Sequence, residues 1–269
     1  MTLQEQIKQR RSTRTFTGEG LRAEHRDQIK NFIAQTQAPR GVKTRIELVE
    51  TSSETERLKL GTYGFISKAP AFLLLVYEEG PFDQEGAAYL FEQLILFCTS
   101  LGLGSCWLGG AFSRSDFIKQ AKLKQNERLR IVSPLGYPAE KKRWIERLLL
   151  GSGEKPKPRK AFGSLFFHET FAMPLTPQLA GPYAEALEML RLAPSAHNKQ
   201  EWRVLHEKDS FHFYKDPFPS FDRIDMGIAL CHFAETCKAL SIEGSFHFSE
   251  DYPKHSKLNY VISFTANRK

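Results

Sequence analysis

Two short segments, far apart in the chain, carry the side chains best suited to chemistry. The first, residues 10–16, reads Arg-Arg-Ser-Thr-Arg-Thr-Phe and follows a short amphipathic stretch with Leu3 and Ile7. Such a density of guanidinium groups suits a doubly charged phosphate, because an Arg fork donates two hydrogen bonds to phosphate oxygens and Ser adds another donor. A solvated basic stretch is the alternative. The predicted anion-binding residues are Arg10, Arg11, Ser12 and Arg14.

The second segment, residues 193–202, reads Ala-Pro-Ser-Ala-His-Asn-Lys-Gln-Glu-Trp. A helix-ending Ala-Pro precedes small polar residues and then a strand, so the backbone and the amide side chains could face a flat polar ring. The alternative is a plain helix-to-strand turn, since Pro, Ser and Asn all favour turns. The candidate ligand-binding residues are Pro194, Ser195, Ala196, Asn198 and, as a weaker member, Gln200.

Together the segments resemble the flavin mononucleotide (FMN) site of the FMN-dependent nitroreductases. Members of that family carry R-R-S-x-R-x-F near the N-terminus and A-P-S-x-x-N-x-Q-P-W soon after it, and two subunits exchange these motifs. Here most of the chain separates them, and Glu201 replaces the last Pro. This arrangement resembles a branch in which two halves are fused. The resemblance implies an α+β, nitroreductase-like fold with two similar halves, each a mixed sheet covered by helices, packed as an intramolecular pseudo-dimer.

The resemblance also implies roles for these residues. The arginine segment would contact the phosphate, the ribityl chain and the pyrimidine edge of FMN, and the second segment would contact the dimethylbenzene and pyrimidine parts. Two further segments join them. A backbone N–H around Leu108, Gly109 and Gly110 would meet flavin N5, although a tight turn explains the same glycines. Lys157 and Arg159 resemble a K-x-R that touches the phosphate, although a solvated linker is the alternative.

The implied function is hydride transfer from NADH or NADPH to flavin N5, and onward to a nitroaromatic, quinone or enone. No G-x-G-x-x-G is present, so the nicotinamide would stack on the flavin rather than occupy a domain of its own. No catalytic side chain or metal ligand set stands out, which fits chemistry that the cofactor supplies. Two alternatives stay open: another redox reaction such as reductive dehalogenation or flavin fragmentation, and a non-catalytic flavin-binding or interaction protein.

A weak internal repeat supports the fused halves. Predicted helices at residues 25–37 and 183–192 each meet Ala-Pro and then a strand, at residues 45–50 and 202–207. Later, helices at residues 86–101 and 225–240 and strands at residues 129–133 and 258–262 follow in the same order. A connector rich in Gly, Pro and charge covers residues 151–160. We therefore expect halves at residues 1–165 and 166–269.

Each half lacks one of the two motifs. After Ala38 and Pro39 the first half continues Arg-Gly-Val-Lys instead of Ser-x-x-Asn, and residues 176–183 of the second half contain no basic residue. Only one of the two pseudo-equivalent sites keeps both parts. We therefore predict one FMN per chain, bound by a monomer that acts as a pseudo-dimer.

Composition narrows the class of protein. The chain has 269 residues, 41% of them hydrophobic, and a formal net charge of +7. The charge invites a nucleic-acid hypothesis, but no nucleic-acid-binding motif appears, and a solvated basic face with an anionic cofactor explains it.

Residues 93–113 carry no charge, yet glycines interrupt them, which favours a buried helix over a membrane span. The N-terminus has no apolar signal-like stretch. We expect a cytoplasmic protein with reduced thiols at Cys98, Cys106, Cys231 and Cys237.

Overall fold

The computed structural model describes residues 1–51, 61–140, 158–217 and 222–267. Its contacts divide the chain into two compact units. Unit 1 comprises Met1 and Gln9–Pro156, and unit 2 comprises Thr2–Lys8 and Lys157–Lys269. This division differs from the expected halves in two respects. The boundary lies nine residues earlier, at 156 instead of 165, and the first helix, α1 (Leu3–Gln9), groups with unit 2 up to Lys8. Position in the sequence does not reveal which body a terminal helix packs against.

Unit 1 is built on a four-stranded sheet with the order β1-β2-β4-β3. All of its strand pairs are antiparallel. A 3-10 turn at Pro39–Gly41 leads into the first strand. In chain order the elements are α2 (Ala23–Gln35), β1 (Thr44–Glu50), β2 (Ala71–Glu78), α3 (Asp83–Ser100), β3 (Gly104–Ser105), α4 (Arg114–Ala121) and β4 (Glu127–Gly136).

The burial of the central strand β2 shows that this sheet is covered on both faces. Its residues from Ala71 to Tyr77 are all buried, as an unbroken apolar run predicts. Phe72, Leu74 and Val76 alternate onto one face and join a core cluster with Phe117 of α4. Helix α3 also packs against β2. The first part of the uncharged stretch, residues 93–100, lies in this helix, and no helix among the described residues is both long and apolar enough to cross a membrane.

Unit 2 contains a six-stranded sheet with the order β6-β5-β7-β8-β10-β9. Strands β5 and β7 pair in parallel, and the other pairs are antiparallel. A 3-10 turn at Ala196–Asn198 precedes β7. In chain order the elements are α5 (Phe162–Leu165), β5 (Phe166–His168), β6 (Thr170–Pro174), α6 (Pro177–Ala180), α7 (Ala184–Arg191), β7 (Trp202–Glu207), β8 (Ser210–Lys215), α8 (Asp222–Ala239), β9 (Gly244–His247) and β10 (Asn259–Ala266).

The two units repeat one topology. The order β1-β2-β4-β3 in unit 1 corresponds to β7-β8-β10-β9 in unit 2, with antiparallel pairing throughout both sets. Helices α3 and α8, each 18 residues long, follow the second strand of each set and precede the third. The predicted repeat is thus present in the strand order as well as in the order of helices. Strands β5 and β6 are an addition to unit 2.

The expectation of a mixed sheet needs a correction in unit 1. Its described strands pair only antiparallel, and parallel pairing there is limited to isolated bridges, such as Ser12 with Ser105. The physical reason is that a buried apolar run shows that both faces are covered, but it carries no information about strand direction. Cys98, Cys106, Cys231 and Cys237 are all buried, and none of them forms a disulfide.

Candidate functional site

The arginine segment, residues 10–16, lies extended against unit 1. The N–H of Thr13 donates to the carbonyl of Ser105 at 2.8 Å, and that of Phe16 donates to Ser67 at 3.0 Å. Ser67 in turn donates its N–H to the carbonyl of Arg14 at 2.9 Å. Phe16 is 1% exposed and belongs to the core cluster. The segment is therefore fixed by its backbone and by its last side chain.

The close approach of the arginine segment to β3 requires a glycine at position 104. A Cβ on Gly104, in β3, would lie 2.6 Å from Oγ1 and 2.7 Å from Cβ of Thr13. Real Cβ atoms do not make contacts that short, so any side chain at Gly104 would push the segment away from the sheet. Sequence patterns do not single out this glycine, because the contact joins residues distant in the chain.

Arg10 is the most unusual member of the segment. It is only 8% exposed, and its Nη1 has no hydrogen-bond partner among the described residues. Burial lowers the pKa of its guanidinium, while the negative charge of Glu92 acts in the opposite direction. The group stays charged, because an arginine does not deprotonate in proteins. Next to it, Arg11 and Ser12 are exposed and Arg14 is half-buried.

Two residues that sequence reasoning missed extend this part of unit 1. Glu92, in α3, is fully buried, and its Oε2 accepts a hydrogen bond from Nε1 of Trp107 at 2.8 Å. The Trp107 ring also meets Phe91 edge-on, with centroids 5.0 Å apart. The sequence does place Glu92 on the apolar face of a predicted helix. An acidic residue at such a position is rarely buried without a partner, so this pattern could have pointed to a functional residue. Trp107 directly precedes the predicted flavin-contacting segment Leu108, Gly109 and Gly110.

The glycine pair itself is only partly available for a ligand. The N–H of Leu108 donates to the carbonyl of Val132 at 3.0 Å, and Val132 returns a bond at 3.1 Å. Leu108 is thus fixed to the sheet and has no spare backbone donor. The N–H groups of Gly109 and Gly110 make no hydrogen bond within the part of the chain that the structure describes. A backbone donor to a ligand here would come from the glycines.

The second motif, residues 194–200 of unit 2, forms a strained loop. His197, Asn198 and Gln200 have φ values of 53°, 60° and 51°, a left-handed conformation that costs free energy for residues other than glycine. Internal bonds hold it: Ser195 Oγ accepts from the N–H of Gln200 at 2.9 Å, and the N–H of Ala196 donates to Oδ2 of Asp225 at 2.9 Å. Strain retained in this way is typical of functional sites.

Arg159 and the two amides of this loop contact one another. Arg159 Nη1 donates to Asn198 Oδ1 at 2.9 Å and to the carbonyl of Ala193 at 2.7 Å. Asn198 Nδ2 donates to the carbonyl of Pro158 at 3.1 Å. Gln200 is 1% exposed, with its Oε1 bonded to the N–H of Lys160 and its Nε2 to the carbonyl of Asn198. These side chains shape the loop, and Gln200 has no exposed face for a ligand.

The structure thus places the predicted residues in two groups, each within its own unit. Pro194 and Ser195 are half-buried on the loop of unit 2. Lys157 lies outside the described residues. Asp225, which anchors the loop from α8, is a further residue that the sequence did not indicate, because its role depends on a helix that begins more than twenty residues later. In unit 1 the group comprises Arg10, Arg11, Ser12, Arg14, Leu108, Gly109 and Gly110; in unit 2 it comprises Arg159, Pro194, Ser195, Ala196, Asn198 and Gln200.

Comparisons with protein-family models and with solved structures both found matches to this chain. A family model described as "Putative TM nitroreductase" matches residues 2–237. A crystal structure of a "putative nitroreductase" from Thermotoga maritima aligns with a TM-score of 0.63 at 20% identity, covering 99% of this chain and 93% of that one. A nitroreductase family protein from Clostridium novyi and an FMN-dependent nitroreductase from Clostridium difficile each align at 19% identity with a TM-score of 0.43. They cover 52% and 56% of this chain and 87% and 96% of their own. None of the curated proteins compared with the chain matches it significantly.

Proposed function

Since the chain belongs to the nitroreductase family described as "Putative TM nitroreductase", we propose that it is an FMN-dependent oxidoreductase. The observation that carries the proposal is the buried guanidinium of Arg10, with an Nη1 that no described residue engages. A buried cation with an unused donor favours an anionic ligand, because leaving such a donor without a partner costs free energy. The phosphate of FMN has the required charge and acceptor oxygens.

The residues around Arg10 fit the same group. Exposed Arg11 and Ser12 add donors for phosphate oxygens, and half-buried Arg14 adds a cation further along the segment. The unpaired N–H groups of Gly109 and Gly110 suit the polar edge of a flavin ring, since glycine lets backbone approach a planar ligand closely. We assign these residues to FMN, with Arg14 near the pyrimidine edge.

The loop of unit 2 supplies the other assigned residues. Pro194 and Ser195 would contact the flavin directly, and so would the backbone around Asn198. Arg159 and Gln200 would act mainly by holding the loop in its left-handed conformation, as their hydrogen bonds within unit 2 indicate. Rigid positioning of this kind is what a flavoprotein contributes, because the chemistry resides in the cofactor.

When bound, FMN supplies the redox chemistry: a hydride from NADH or NADPH goes to N5, and two electrons pass on to a small electrophilic acceptor. Nitroaromatics, quinones and enones are the acceptor classes we propose. The protein's part is to hold the isoalloxazine ring, to keep positive charge beside it and to leave one face open to both reactants in turn. We further propose that the two units act as an intramolecular pseudo-dimer in the cytoplasm.

The test begins with the visible absorption spectrum of the protein after reconstitution with FMN and removal of free flavin. We expect a bound-flavin spectrum that bleaches under anaerobic conditions on addition of NADH or NADPH and returns on addition of a nitroaromatic or a quinone. A protein that retains no flavin would contradict the proposal. A coloured protein that neither nicotinamide bleaches would be a flavin-binding protein without this activity.

A further inference from the structure

Arg10 and Glu92 are two buried side chains of opposite charge in unit 1. Arg10 is 8% exposed, Glu92 is fully buried, and of all acidic groups Glu92 does most to favour the charge of Arg10. Isolated charges are costly in a protein interior, so each makes the other tolerable when no ligand is bound. The backbone brings both groups to one place: Thr13, three residues after Arg10, is bonded to Ser105, and Trp107, two residues after Ser105, donates its indole N–H to Glu92.

Glu92 is itself held in place. Its Oε2 accepts the indole N–H of Trp107 at 2.8 Å, and the Trp107 ring packs against Phe91. A carboxylate fixed by an indole cannot turn away when an anion arrives. Two other groups act electrostatically on Arg10: Cys106 favours its charge, and Arg11, a like charge, opposes it.

A fixed negative charge beside an anion-binding cation has two opposite effects. It stabilises the ligand-free protein, because it offsets the buried charge of Arg10. It also repels an incoming phosphate, since like charges in a low-dielectric site repel strongly. Removal of the carboxylate should therefore destabilise the free protein and strengthen the binding of the anion.

We propose that Glu92 is the counter-ion of the ligand-free state, a positioning residue that stabilises the charge of Arg10 while no phosphate is bound. The idea rests on the proposed binding of FMN at Arg10. It predicts that substitutions of the two members of one charge pair change FMN affinity in opposite directions: Arg10→Ala weakens binding and Glu92→Gln strengthens it.

The experiment titrates the apo-protein with FMN and, in parallel, with riboflavin, which lacks the phosphate. Glu92→Gln removes the charge but keeps an oxygen that can accept from Trp107. We expect FMN to bind this variant about threefold more tightly or better, as repulsion between charges in a site of low dielectric requires. Riboflavin affinity should stay the same. Glu24→Gln, an exposed acid of α2, is the matched control and should change neither affinity.

Trp107→Phe separates the charge from the hydrogen bond. It keeps an aromatic ring against Phe91 and leaves Glu92 charged, so FMN should bind no more tightly than to the unsubstituted protein. Equal strengthening by Trp107→Phe and Glu92→Gln would overturn the inference, because loss of the charge would not be the cause. Weaker or unchanged binding of FMN by Glu92→Gln would overturn it as well.

Two outcomes keep this inference apart from the proposed function. If Arg10→Ala weakens FMN binding while Glu92→Gln fails to strengthen it, the role of Glu92 is wrong and the flavin site stands. If Arg10→Ala has no effect, the site assignment itself is wrong. Should Glu92→Gln not fold, the double variant Arg10→Gln, Glu92→Gln provides the test. It loses both charges together and should unfold at a higher temperature than Arg10→Gln alone; a lower unfolding temperature overturns the inference.

Discussion

Arg10 is buried, yet its Nη1 has no hydrogen-bond partner among the described residues. Its position follows from the backbone bonds that fix Thr13 to β3 and Phe16 to Ser67 in unit 1. An exposed arginine would contribute little binding free energy, because water competes for its donors. A buried one is already desolvated, so that a ligand phosphate gains the contact without that cost. Arg10 is therefore the residue on which the proposed flavin site should depend most.

At the residue scale, Arg10→Ala should weaken FMN binding roughly 10- to 150-fold. A hydrogen bond to a charged group is worth on the order of 1.5–3 kcal/mol, and about 1.4 kcal/mol changes an affinity tenfold. Flavin-fluorescence titration of the apo-protein at fixed salt measures this change. Arg114→Ala is the matched control, since the Arg114 side chain is exposed in α4 and makes no hydrogen bond or ion pair within the described residues. Equal affinities for the two variants would assign the arginine segment to surface charge.

At the scale of elements, the sheet of unit 1 and the arginine segment depend on each other through β3. Gly104 in β3 is in contact with Thr13, and Ser105 bonds the segment's backbone. In unit 2 the corresponding support comes from α8, whose Asp225 holds the N–H of Ala196. In both units, regular elements fix the backbone of an irregular segment so that its side chains are positioned before any ligand binds.

Gly104→Ala should disturb this support. Its Cβ would lie within 2.7 Å of three atoms of Thr13, and overpacking of this kind costs about 1–3 kcal/mol of unfolding free energy. We expect a lower unfolding temperature and weaker FMN binding, measured by thermal denaturation and by titration. Gly20→Ala, where an added Cβ meets nothing within 4 Å, should leave both unchanged. If Gly104→Ala binds FMN normally, the segment does not need β3 for its position.

At the scale of the whole molecule, the repeated topology gives a physical basis for a fused pseudo-dimer. Both units carry the same order of four antiparallel strands with an 18-residue helix after the second. The local chemistry differs, however. The turn after Pro39 in unit 1 carries Arg40 where the unit 2 loop offers Ser195 and Asn198. Because the two units share an architecture but not these motifs, we expect only one of the two pseudo-equivalent sites to bind FMN.

One chain should therefore bind one FMN and need no partner subunit. Acid denaturation of the reconstituted protein releases the flavin, and its absorbance against protein concentration gives the ratio. Light scattering of the same sample should report a mass near the 30.8 kDa of the chain. Two flavins per chain would refute the argument from the missing motifs. Flavin found only in a dimer or larger species would refute the self-sufficient monomer.

The sequence by itself determined the residues of the two motifs, the α+β class and the repeat, because these depend on residue type and on local periodicity. The apolar run of β2 indicated a doubly covered strand in the same way. Tertiary structure alone decided the strand directions, the grouping of α1 with unit 2, the bond that occupies the N–H of Leu108, and the burial of both Arg10 and Glu92. The reason is physical: burial, electrostatic pairing and steric contact are set by distances between residues far apart in the chain, and those distances exist only once the chain has folded.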